Sequence, residues 1–256
     1  MESKITTARS PRGRLLTIEH IGKADSTATI LESIAKRGGA DGYILLADEV
    51  TVSPLPTKKK KGKNDRSLHM GILIHPAFSS SQRLLLSVIG ALALRKTVRY
   101  YSGVEASLRW PADVVYQKET IGTVETVCSF RENGSFHYAI MDFSLRIHRR
   151  HFSESLPKIV ENVFAPVRRS LTERMANTLL TEFFSLYEEM ALDRSFLDEY
   201  RELSLLRGKR VRFLREEKKV RGTVIGIDDS AHLVIAPKRG GSYPLSSKDE
   251  LLIKRK

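Results

Sequence analysis

The chain has 256 residues, room for one large domain or for a full-sized domain with a small appendage, and for a core that needs no covalent staples. Its 43 Lys+Arg against 30 Asp+Glu give a net charge of +13, which points toward a polyanion such as nucleic acid, a nucleotide or an anionic membrane surface. One cysteine, Cys128, excludes a disulfide framework and a multi-cysteine zinc site within this chain, and no apolar run reaches the roughly 18 residues of a membrane helix.

Residues 1–14 (MESKITTARSPRGR) read as a loose basic tail that leads into no apolar h-region, so no secretory signal is expected and the expected compartment is a reducing cytoplasm. From Leu15, LLTIEHIG reads as a short strand. Asp25-Ser26-Thr27 then offers N-cap oxygens for a helix running to about Arg37, striped by Ile30, Leu31 and Ile34 and stopped by Gly38-Gly39. YILLA at 43–47 suits a buried strand, and the stretch 48–67, with two prolines and a lysine run, reads as a loop. LHMGILI at 68–74 is the next strand, and 79–96 has the length and leucine content of a buried helix that Ser79, Ser80 or Ser81 can cap.

The middle of the chain is sheet-like. Runs at 106–110, 114–116, 121–130 and 135–144 are separated by Pro111, by Gln117 to Glu119, and by the turn Asn133-Gly134. Ser170 and Glu173 have capping-box spacing ahead of a helix of about twenty residues, with Leu171, Met175, Leu179, Phe183, Leu186 and Met190 on one face. A second helix spans 195–206. After Gly208 the pattern alternates with period two, which predicts four or five short antiparallel strands closing a small barrel. The basic residues cluster at Lys58, Lys59, Lys60, Lys61, Lys63 and Arg66, again at Arg146, Arg149 and Arg150, and in the last fifty residues, where fourteen Lys+Arg face six acids. These stretches lack the interleaved aromatics of a base-stacking platform, so nucleic acid is a partner to be considered but not the favoured one.

In LRWPADVVY, followed by a polar turn and IGTVE, Trp110 sits in a segment that resembles the biotin protein ligase family and its lipoate ligase relatives. Members of that family carry Lys-Trp-Pro-Asn-Asp, a short turn, then Lys-(Leu/Ile)-(Ala/Gly)-Gly-(Ile/Val). Asp25-Ser26-Thr27 is similar to the Ser-Thr-Asn that opens the family's first helix, LLADEVT to the strand entering its ligand loop, and LHMGILIHP to the strand after it. The resemblance covers residues 18–254 and corresponds to the monofunctional type, which has no N-terminal DNA-binding domain. It implies an α+β fold, a mixed β-sheet with packed helices, followed by a small SH3-like β-barrel. The implied division is a basic tail at 1–14, a ligase-like catalytic domain at 15–206 and the barrel at 207–256.

The resemblance also implies an activity: ATP-dependent formation of biotinyl-adenylate and transfer of the acyl group to one lysine of a biotin carboxyl carrier domain, with ATP, Mg2+ and biotin as cofactors if the chain is active. It further implies a homodimer, no membrane partner and no resident metal. A carboxylate attacking an α-phosphate brings two anions together, so the family supplies a Gly-Arg-Gly-Arg-x-Gly loop of backbone donors and clamping arginines. Here the aligned stretch is Ser53-Pro54-Leu55-Pro56-Thr57-Lys58, without either arginine or any glycine, and prolines offer no N–H. Thr120 stands in the place of the motif lysine, with Lys118 two residues earlier. Ala28 and Ala112 replace asparagines, and Ile140-Met141-Asp142-Phe143-Ser144 replaces a glycine- and asparagine-bearing strand.

The resemblance assigns catalytic roles to Lys118 and Asp113 and substrate contacts to Ser26, Thr27, Thr51, Arg109, Trp110 and Gly122. It gives ATP binding to Lys58, Lys59, Lys60 and Lys61 as point-charge substitutes for the missing arginines. Each has a plainer alternative. Ser26 and Thr27 suffice as helix caps, Trp110 and Pro111 as core packing, Asp113 as the partner of an arginine, and the lysines as solvated surface. Three functions remain: a ligase of impaired or altered activity, an inactive family scaffold that binds protein, and a nucleic-acid binder using its basic surfaces.

Overall fold

A computed structural model describes residues 3–55, 66–147, 171–215, 218–238, 240–245 and 250–251. Eight strands form one sheet: β1 (Lys4–Arg9), β2 (Leu15–Ala24), β3 (Tyr43–Val50), β4 (Arg66–Ile74), β5 (Ser107–Arg109), β6 (Asp113–Tyr116), β7 (Glu119–Phe130) and β8 (Phe136–Ile147). Their spatial order is β1-β2-β3-β4-β8-β7-β6-β5, antiparallel throughout except for the parallel pair β2 and β3. A parallel pair needs a crossover, and α1 (Thr27–Lys36) supplies it.

The chain leaves β2 at Asp25 and turns helical where Ser26, in an extended conformation, accepts a hydrogen bond from the Thr29 N–H. α1 lies on one face of the sheet, where Leu31 and Ala35 pack with Leu45, Leu73, Tyr138 and Ile140. Gly71 on β4 permits this closeness, since a Cβ there would run into the Leu31 side chain and lie 3.4 Å from Thr27 Cβ. The other face carries α2 (Arg83–Ser102) and α3 (Leu171–Glu189). α2 is apolar nearly all round, and residues from Leu85 through Leu94 are buried between the sheet and α3. Ring contacts among Phe143, Phe183, Phe184 and Tyr187 hold α3 to β8.

The expected loose tail is a strand instead. Residues 4–9 pair antiparallel with 15–20, because Ile5, Thr6 and Thr7 favour extended backbone and the turn at Ser10 to Gly13 returns the chain. Ser10 Oγ donates to Glu188 Oε1 at 2.5 Å and Arg14 pairs with Asp41 and Glu188, which fastens this hairpin to α3. The helix expected at 79–96 begins with a 3-10 turn at Ser80–Gln82 and runs on to Ser102. The capping box falls at Ser170, outside the described residues.

After α4 (Ser195–Leu203) come β9 (Arg210–Arg215), β10 (Lys218–Ile227), β11 (Leu233–Pro237), β12 (Tyr243–Pro244) and β13 (Glu250–Leu251). They form an antiparallel sheet in the order β12-β11-β10-β9-β13. Hydrogen bonds seat it on the large sheet and on α4, and tie the connecting segment to β5. Trp110 Nε1 donates to the Ala231 carbonyl at 2.8 Å, and Arg201 reaches the Ile227 carbonyl at 2.9 Å and Asp229 at 2.6 Å. The Leu205 N–H donates to the Leu108 carbonyl at 2.8 Å.

Candidate functional site

In an antiparallel sheet, residues directly opposite one another share a face, so the register alone defines a polar row. His69 on β4 lies opposite Ser144 on β8, Ser144 opposite Thr123 on β7, Thr123 opposite Asp113 on β6, and Asp113 opposite Arg109 on β5. All five side chains are buried. One rung away, Gly71, Asp142 and Glu125 are opposite in turn. This is the face that α1 covers, because Thr27 Oγ1 donates to Asp142 Oδ1 at 2.5 Å. The row therefore crosses five strands and meets the first turn of the helix at Asp142.

Burying so many polar groups is tolerable only if they satisfy one another. Ser53, from the stretch after β3, donates to Ser144 Oγ at 3.3 Å, and His69 Nδ1 lies 3.1 Å from the same oxygen. Thr123 Oγ1 donates to Asp113 Oδ1 at 2.7 Å. Arg109 donates to Thr120 Oγ1 at 3.2 Å and stands 3.9 Å from Asp113 Oδ2, while Arg146 donates to the Thr120 carbonyl at 3.3 Å. Asp142 has lost most of its water. Burial pushes its carboxyl up to about 6, the Thr27 hydroxyl opposes that shift, and the Glu125 carboxylate on the next strand adds to it.

The structure brings together Thr27, Arg109 and Asp113 of the residues assigned from the sequence, and spreads the others. Ser26 caps α1. Thr51 is exposed beside it, its hydroxyl 3.4 Å from Asp25 Oδ1. Trp110 packs at the edge of the main core with its indole N–H turned to the C-terminal sheet. Gly122 faces the opposite side of the sheet, where a Cβ would lie 2.8 Å from Leu94 Cδ2 and 3.2 Å from Leu145 Cδ1. Lys118 is exposed at the tip of a two-residue turn with Gln117, both at positive φ, between the paired Tyr116 and Glu119. Thr120, in the place of the family lysine, is the residue that joins the row. Lys58, Lys59, Lys60 and Lys61 lie outside the described residues.

His69, Thr123, Asp142 and Ser144 carry no functional assignment from the sequence. The signal for them was present: a polar residue at period two inside otherwise apolar runs, as in LHMGILI and YAIMDFSL, marks a strand face that is buried but not greasy.

No sequence profile of a known family matches the chain, and no curated protein matches it. Solved structures do. The biotin protein ligase of Aquifex aeolicus, in complex with biotin and ATP, superposes with a TM-score of 0.66 at 17% identity, over 91% of this chain and 97% of that one. The chain has the biotin protein ligase fold. A biotin protein ligase-like protein of unknown function from Silicibacter superposes with a TM-score of 0.68 at 10% identity, over 94% and 96% of the two chains. The Leishmania major biotin protein ligase with biotin gives 0.53 at 17%, over 89% and 97%. Against that fold, the buried polar row occupies the sheet face under α1, and the arginines beside it, Arg109 and Arg146, are already engaged by Asp113 and Thr120.

Proposed function

We propose that this chain is a divergent member of the biotin and lipoate ligase family, with an acyl-ligand site on the α1 face of the sheet and impaired adenylation chemistry. One observation carries the reading: on a ligase fold, the row from His69 to Arg109 concentrates buried polar side chains where α1, the end of β3 and five other strands converge. A purely structural sheet has little use for that many buried hydrogen-bonding groups on one face.

The same row does not fit a triphosphate. Asp142, Glu125 and Asp113 outnumber the two arginines on this face, and Arg109 is held by Asp113 and Thr120. A phosphate-handling site needs uncommitted cations and backbone donors. In this reading ATP and Mg2+ depend on Lys58, Lys59, Lys60 and Lys61, and catalysis is correspondingly weak. The internal pairing of Arg109 favours, as the second reading, an inactive scaffold that keeps the fold to bind protein. Closure of the C-terminal sheet as an SH3-like barrel, a carrier domain as acceptor and a cytoplasmic setting belong to the same proposal. Among the described residues no helix is long and apolar enough to cross a membrane.

The test is incubation with biotin or lipoate, Mg·ATP and a carrier domain, followed by intact mass. The ligase reading expects slow addition of one acyl group to a single lysine, lost in Thr27→Val. Absence of a mass shift with every acyl ligand, together with no heat on titrating biotin, lipoate or ATP, removes it in favour of the scaffold.

A further inference from the structure

The outward face of β9 and β10 carries a cluster of cations. Along β9 the buried Val211 and Phe213 alternate with the exposed Arg210 and Arg212. On β10 the register sets Arg221 directly opposite Arg212, Lys219 opposite Leu214, and Thr223 opposite Arg210. Arg221 and Lys219 are exposed as well, and so are Arg207, Lys209 and Lys218 around them. Like charges directly across a sheet lower its stability, and the usual remedy is an acid on a neighbouring position. Among the described residues the register sets a single acid position, Glu250 of β13 opposite Leu214, against these four cations. Asp228 is taken by Ser230 and His232, and Asp229 by Arg201, while Glu216 and Glu217 lie outside the described residues.

We propose that this face is a docking surface for the phosphate backbone of double-stranded nucleic acid. Alternate residues on a strand are about 6.6 Å apart, so two adjacent strands present a small lattice of positive charge to a polyanion. Three of its four members are arginines, whose planar forks take phosphate oxygens in pairs. The aromatic rings nearby are not available for stacking on bases: Phe213 is fully buried and packs edge-on against Tyr243. Contact is therefore to phosphates and independent of sequence. Among the described residues no aromatic anchor stands on this face, which disfavours a protein partner, since protein interfaces centre on such anchors. The net charge of +13 adds long-range attraction.

The experiment is fluorescence anisotropy of the full chain with a labelled DNA duplex of about 20 base pairs, titrated between about 50 and 200 mM salt. The expected result is binding that weakens steeply with salt, with a log–log slope of about −4 for four phosphates engaged. Arg212→Gln with Arg221→Gln should lower the slope magnitude by about 2 and the affinity at low salt by at least about tenfold, while Lys36→Gln, on α1, changes neither. Circular dichroism establishes that the variants are folded. No binding at low salt overturns the proposal. So does unchanged affinity and slope in the double arginine variant, and so does complete loss of binding when Lys58, Lys59, Lys60 and Lys61 become serine. Retention of an acidic polypeptide in place of the duplex also overturns it.

Discussion

Asp142 is a buried carboxyl in an otherwise apolar stretch of β8. Its carboxyl titrates near 6 in the folded chain against an ordinary value near 3.8. A raised carboxyl pKa means that the folded state holds its proton more tightly than the unfolded state. Stability from this group is therefore greatest below about 4 and is lost as the pH rises through 6. Asp142→Asn keeps an acceptor for Thr27 and removes the ionisation. It should raise stability at pH 7.5 by about 2 kcal/mol and flatten the pH dependence between 4 and 6, as read from urea midpoints. Thr27→Val tests the partner: it strips a donor from a buried carboxylate and should cost about 1 to 3 kcal/mol, more at pH 7.5 than at pH 4. A variant whose loss is the same at both pH values would show that the hydroxyl contributes packing alone.

At the scale of elements, the sequence was legible where period and punctuation agree. α1 is announced by Ser26 and ended by the glycine pair, α3 by its apolar stripe, and β7 and β8 by the Asn133-Gly134 turn between them. β1 was missed because four of its six side chains are charged or hydroxylated, so the Ser10-Pro11-Arg12-Gly13 turn signal after it reads as part of a polar tail. Much of the row was missed for a different reason. Pairing across β4, β8, β7, β6 and β5 joins residues up to 75 positions apart, from His69 to Ser144, and no local pattern encodes that register. Thr27, Arg109 and Asp113 were legible through motif position, whereas their partners depended on which strands meet. The turn at Gln117 and Lys118 offers a prediction at this scale. Both residues hold φ near +50 to +70, a region that suits asparagine and glycine. Replacing them by Asn-Gly should stabilise the fold by about 1 kcal/mol. Should acyl transfer survive that change, Lys118 is not required for it; a folded, stabilised and inactive variant would restore the lysine to the site.

For the whole molecule, the junction between the two sheets is the quantity to measure, and Trp110 reports on it. It is the only tryptophan, and its N–H is bonded to the Ala231 carbonyl of the C-terminal sheet. Three residues further on stands Asp113. Arg201→Ala, which removes the contacts to Ile227 and Asp229, should loosen the junction by about 1 to 3 kcal/mol and shift Trp110 emission to the red before the main unfolding transition. A single coincident transition by fluorescence and far-UV circular dichroism would instead mean that the two sheets unfold as one unit.

The two ends of the eight-stranded sheet are unequal. At the β5 end, the segment after α4 forms a bridge from Ser204 to Leu108 and the Leu205 N–H caps the Leu108 carbonyl, so part of that edge is already occupied. At the other end β1 is the rim, with Lys4 and Arg9 on it. Those cations make it a poor template for strand addition. Removing residues 1–9 would bare β2 instead, beside the half-exposed Leu15, and turn a protected rim into an adhesive one. The short basic hairpin at the start of the described chain thus stands between the wide sheet's backbone and any neighbouring strand.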